Sequence, residues 1–209
     1  MVIRDVIKGL LRDLSSEDED VLQGALLNAR LLLEQSYLHL SAQRAVRDDD
    51  LRKGLPTDYE QRRPQQIHEE FRSLLPETYL DLVLTDEETD AITGMLLRLL
   101  NGPPQIAARA AAALDRCTRL YAVSKLAEVV RQYAPVDGSV TRSAIFALED
   151  ILASVDPRHP LTPEQGQTIT EAYVALRFAA AEGIEGVWNA REAAERALSR
   201  ISGHFGRSF

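Results

Sequence analysis

The sequence predicts an all-α fold, and three observations carry that expectation. Apolar residues recur at i, i+3, i+4 and i+7 along most of the chain, the stripe of a 3.6-residue helix. Stop and start signals separate these stretches: Asn101-Gly102 before Pro103-Pro104, Pro135-Val136-Asp137-Gly138, Asp156-Pro157 before Pro160, and Glu182-Gly183. No alternating apolar and polar run bounded by turns competes as a strand.

The elements follow in order. Ile3, Val6, Ile7, Leu10, Leu11 and Leu14 make the first amphipathic helix. Ser15 or Ser16 is the expected N-cap of the second, with acids at 17–20 facing the positive end of its dipole. That helix, over 21–40, carries Val21, Leu22, Ala25, Leu26, Ala29, Leu32, Leu33 and Leu40. Leu27, Leu31 and Leu38 broaden its apolar face, which places it centrally in the fold or in a subunit interface.

Over 47–64 the periodicity collapses into Asp48, Asp49, Asp50, Gly54, Pro56 and Pro64, which predicts a flexible polar loop. A short helix over 65–75 ends at Pro76. Thr85 then caps a helix over 86–100, and further helices are expected over 104–117, 120–133, 139–153, 163–181 and 186–201.

Composition bounds the function. The 209 residues suffice for one domain burying roughly 70% of its unfolded surface, with no staple needed. Hydrophobic residues at 45% and charged ones at 27% suit a folded globular chain. Cys117 is the single cysteine, so no intramolecular disulfide forms, in keeping with a reducing compartment. Met1 to Asp5 open no apolar signal core, and the last residues match no lipidation pattern. The most apolar stretch, 21–40, holds Asn28, Arg30, Glu34, Gln35 and His39, too polar to span a bilayer. The expectation is a cytoplasmic protein with no membrane partner. A net charge of −8 opposes nucleic acid on average and favours solubility or a basic protein partner.

Three of the expected helices share one pattern. Ala110, Ala113 and Leu114 recur as Ala144, Ala147 and Leu148, and again as Ala194, Ala197 and Leu198. Cys117, Ile151 and Ile201 follow three positions on; Ile106, Val140 and Ala190 stand four positions before. Small alanines let a neighbouring helix come close while leucine and isoleucine fill the space behind. Over about residues 86–201 this resembles the second helices of HEAT-type repeats, with offsets of 34 and 50 residues around that family's length of roughly 40 to 47. The resemblance implies helix pairs stacked as a short α-solenoid; a generic helical bundle is the alternative. The domain reading is one unit over 1–209: N-terminal helices 1–46, the polar loop 47–64, and a HEAT-like array 65–209. Ala25, Ala29 and Leu32 are a candidate N-terminal copy, and no regular Asp and Arg ladder marks every turn.

No catalytic, cofactor or metal constellation is expected. His39, His68, His159 and His204 are scattered, and His68-Glu69 lacks the second histidine at 72 that a zinc helix requires. Cys117 lies on the apolar stripe, so it reads as core. The acids at 17–20 and 86–90 sit at helix starts, where dipole complementarity accounts for them. Asp48-Asp49-Asp50 lacks the alternation of a calcium loop. Arg44, Arg47, Arg52, Lys53, Arg62 and Arg63 face five acids within 44–63, leaving +1, no nucleic-acid footprint. Trp188, Arg191 and Arg142 are the candidate partner contacts, Trp188 because an exposed tryptophan anchors interfaces.

The functional expectation is a non-catalytic protein-interaction module of adaptor, scaffold or inhibitor/immunity type. The alternative is a nucleic-acid-binding or DNA-glycosylase-like protein on the same scaffold, and a third reading is a homo-oligomer through the 21–40 helix.

Overall fold

The computed structural model describes residues 3–53, 75–80, 82–157, 159–186 and 189–206, with only the helical backbone of 42–53. Among the described residues there are eight α-helices and no strand: α1 Asp5–Asp13, α2 Glu19–Lys53, α3 Asp86–Leu99, α4 Pro104–Ala113, α5 Ala122–Tyr133, α6 Gly138–Ala153, α7 Pro163–Glu182 and α8 Ala190–Phe205. A 3-10 turn, Glu77–Tyr79, precedes α3. None of these helices is long and apolar enough to cross a membrane.

The packing follows one rule. Consecutive helices pair as α1·α2, α3·α4, α5·α6 and α7·α8. The first members contact in series, α1·α3, α3·α5 and α5·α7; the second members do the same, α2·α4, α4·α6 and α6·α8. The chain is therefore a two-row stack of helix pairs around one continuous core. Each pair shields its neighbours' apolar faces, so no helix could bury its own face alone.

Local chemistry sets the boundaries. Thr85 and Thr162 form reciprocal capping boxes with Glu88 and Gln165 at α3 and α7, and Asp137 accepts the Ser139 and Val140 amides at α6. At α2 the cap is Asp18, whose carboxylate accepts the Asp20 and Val21 amides. Ser16, an expected cap, accepts from Asp18 instead. The carboxylate carries full charge at the helix N-terminus, which outweighs a hydroxyl's nearness in sequence.

Three boundaries differ from expectation. α2 runs on through Lys53, into the stretch expected to be a polar loop from 47; after Gly24 no glycine or proline interrupts it before Gly54. Residues 54–64 and the helix expected over 65–75 lie outside the described residues, apart from Leu75, which is buried. α4 stops at Ala113 rather than 117, with Leu114 as its C-cap, and Thr118 takes a left-handed φ of 52° in the connection that follows. α8 starts at Ala190, where the Asn189 side chain accepts the Glu192 amide.

The broad face of α2 has a clear use: it packs on α1 and α4. It also holds the 79–84 segment, as Gln35 Nε2 donates to the Tyr79 and Leu82 carbonyls and Ser36 Oγ accepts the Leu84 amide. These two polar side chains are buried and satisfied, so they fix where α3 begins.

Candidate interaction surface

The repeat stripe read from sequence is the contact surface of the second row. Ala110, Ala113, Leu114, Ala144, Ala147, Leu148, Ala194 and Ala197 are all buried on α4, α6 and α8, or immediately after α4, and Leu198 is half-buried. Ala25, Ala29 and Leu32 are likewise buried on α2, which packs on α4, so the second row extends to the N-terminal pair.

Counting from the first alanine of each copy, positions +2 and +6 turn away from that stripe, as does −1 in the first two copies; −1 on α8 is the buried Ala193. The outward residues are Arg109, Ala112 and Arg116 around α4, and Ser143, Phe146 and Asp150 on α6. On α8 the +2 and +6 positions are Arg196 and Arg200. On α2 the exposed residues include Gly24, Leu27 and Arg30, with Leu27 53% exposed. Phe146 is 38% exposed, and the Arg142 guanidinium lies 5.2 Å from its ring centroid. This outward face combines exposed apolar side chains with arginines on a chain whose net charge is −8.

One ionic row crosses this face. Arg116 lies 5.2 Å from the Tyr37 ring on α2 and pairs with Asp150 on α6 at 2.7 Å. Arg200 on α8 pairs with the neighbouring Glu149, which is buried. Arg116, Asp150 and Arg200 share repeat position +6, a coincidence of spacing that sequence reading could have caught. Burial pushes the Asp150 carboxyl up to about 7, and the facing Asp115 carboxyl adds to this.

Two cavities open beside these elements. Between α2 and α4 lies a groove of about 410 Å³, lined by Gln23, Gly24, Leu26, Leu27, Arg30, Arg109 and Ala112. The second, of about 400 Å³, lies where α2 meets the start of α3, and its walls include Ser36, Tyr37, Arg116 and Arg119. Arg119 is already engaged there, donating to Asp86 at 2.6 Å and Asp90 at 2.8 Å. Tyr121 also donates to Asp90, at 3.1 Å, and burial foremost pushes its hydroxyl up to about 12.

The acids of the α3 start therefore do more than complement a dipole. Asp86 and Asp90 fasten the α4–α5 connection, and Glu88 is 1% exposed beneath Arg4. Arg4 donates to it from its backbone amide at 3.1 Å and from Nε at 2.8 Å, and again from Nη2. Those bonds, above all, hold the Glu88 carboxyl down at about 2. Cys117 is fully buried, and desolvation raises its thiol to about 11, which leaves little thiolate at neutral pH.

The three candidate contacts separate. Arg142 sits on the outward face of α6. Arg191 is spent on its own turn, with Nη1 donating to Glu185 at 2.9 Å and Nη2 to the Ala181 carbonyl at 3.1 Å. Trp188 lies outside the described residues. His204 Nε2 meets the Val155 carbonyl at 2.7 Å, while His159 pairs with Asp156; His68 falls outside the described residues. Sequence reading missed Arg109 and Phe146 and placed Leu27 and Arg30 only on the 21–40 helix; the face the four share emerges once the second row is assembled.

No family model, curated protein or solved structure matches this chain.

Proposed function

We propose that this chain is a non-catalytic protein-interaction module of adaptor, scaffold or inhibitor type, a short HEAT-like array that binds a partner through its second helix row. The observation that supports this is the outward face of α2, α4 and α6, where Leu27, Ala112 and Phe146 stand among Arg30, Arg109 and Arg142. Aromatic and aliphatic anchors ringed by arginine are the side chains that dominate protein interfaces. Rows of helices of this kind offer such a face across several repeats at once.

The same guanidiniums favour a second reading, a nucleic-acid binder on this scaffold, because they concentrate positive charge on one face of an acidic chain. One experiment separates the two. The tagged chain and its Arg142→Glu/Phe146→Asp variant are used to capture partners from native lysate, with and without nuclease. A stoichiometric protein that survives nuclease and is lost by the variant, with the variant's helical circular dichroism unchanged, supports the interaction reading. Recovery of nucleic acid, or of a partner released by nuclease, overturns it in favour of the second.

A further inference from the structure

The groove between α2 and α4 has an unusual charge balance for this chain. Acids outnumber bases, 32 to 24, and most described arginines reach a carboxylate: Arg4, Arg116, Arg119, Arg191 and Arg200 all do. Among the described residues, Arg30, Arg109 and Arg131 have no ion pair or hydrogen bond, and the first two line this one groove. Two like charges on facing helices repel mildly, and a bound carboxylate would relieve both.

The floor between them is apolar and open. Leu26 is buried and Leu27 half out of the surface, Ala112 faces them from α4, and at Gly24 a Cβ would meet nothing within 4 Å. A volume of about 410 Å³ accommodates one or two large side chains of a partner segment. Phosphodiester backbone would find two cations but also an apolar floor that offers sugar and phosphate nothing.

We infer that the α2–α4 groove binds an acidic, amphipathic segment of a partner protein, its apolar anchor seated on Leu26, Leu27 and Ala112 and its carboxylates on Arg30 and Arg109. This rests on the interaction reading above and gives it a partner chemistry: charge complementarity at the groove is local and opposite to that of the chain as a whole. The mode is an apolar stripe laid in a groove, with the flanking charges setting register and on-rate. Added salt weakens such a complex.

The test is selection from a displayed library of random peptides against the whole chain, in parallel with its Arg30→Glu/Arg109→Glu variant. Both side chains are exposed and make no ion pair or hydrogen bond, and circular dichroism checks that the variant is intact. Should it misfold, Arg109→Gln alone takes its place. Selected peptides are then measured by fluorescence anisotropy at low and high salt. The expected result is enrichment of acidic peptides bearing an aliphatic or aromatic residue, with affinity falling roughly tenfold or more on charge reversal and falling with salt. Neutral or basic peptides, or equal binding by both forms, overturn the inference. So does light scattering that shows a dimer which charge reversal splits, since the groove then belongs to a second copy. If the peptides fail while the lysate partner still depends on Arg142 and Phe146, only this inference falls and the interaction reading stands.

Discussion

Replacing Glu88 with glutamine tests the joint between α1 and α3. The carboxylate is 1% exposed and held at about 2 against an ordinary 4.5, chiefly by the Arg4 side chain. At about 1.4 kcal/mol per pH unit that depression is worth at most about 3 kcal/mol of folding free energy. The Arg4 side chain is 41% exposed, so water screens part of the attraction, leaving about 2 kcal/mol. Because the folded pKa is lowered, the stabilisation is complete above the ordinary carboxylate value and is lost as pH falls from there through about 2. Urea unfolding of wild type and Glu88→Gln should therefore differ by about 2 kcal/mol at pH 7, with more than half of that gap gone by about pH 3. A gap that does not change with pH would mean that the glutamate contributes only helix capping, and the charge argument would be wrong.

Other outcomes follow from single sites. Asp150 is shifted the other way, up to about 7, so its burial costs stability progressively as pH rises from its ordinary value near 3.8 through 7. Thermal melts should show Asp150→Asn gaining on wild type between pH 5 and pH 8; a constant difference refutes this. Gly183→Ala places a methyl 2.3 Å from the Ala179 carbonyl oxygen and 3.0 Å from the Arg191 amide, and should cost about 1–3 kcal/mol in urea. Gly94→Ala, in open space on α3, should gain roughly 0.5–1 kcal/mol, and a loss there would contradict the packing described. Cys117, buried and raised to about 11, should react with a disulfide reagent only as fast as the chain opens, and rapidly in urea. Fast labelling of the native protein would place the thiol at the surface.

Much of the fold was written in the sequence because its determinants are local. Helix type and the capping of α3, α6 and α7 follow from Thr85, Asp137 and Thr162 and from a 3.6-residue apolar period. The Ala-x-x-Ala-Leu copies marked which helices pack closely, because only small residues allow that approach. Tertiary structure alone decided what depends on neighbours distant in the chain. α4 ends at Ala113 with no glycine or proline there to stop it, and in the connection that follows Arg119 is drawn to Asp86 and Asp90 of α3. Glu88 reads as one more acid at a helix start until Arg4, 84 positions away, closes over it. Arg30 and Arg109 look like ordinary surface charges until α2 packs on α4 and leaves them facing one apolar groove. The physical reason is one of range: propensity, capping and periodicity act within a few residues, whereas an ion pair or a groove exists only where stacking brings separate helices together.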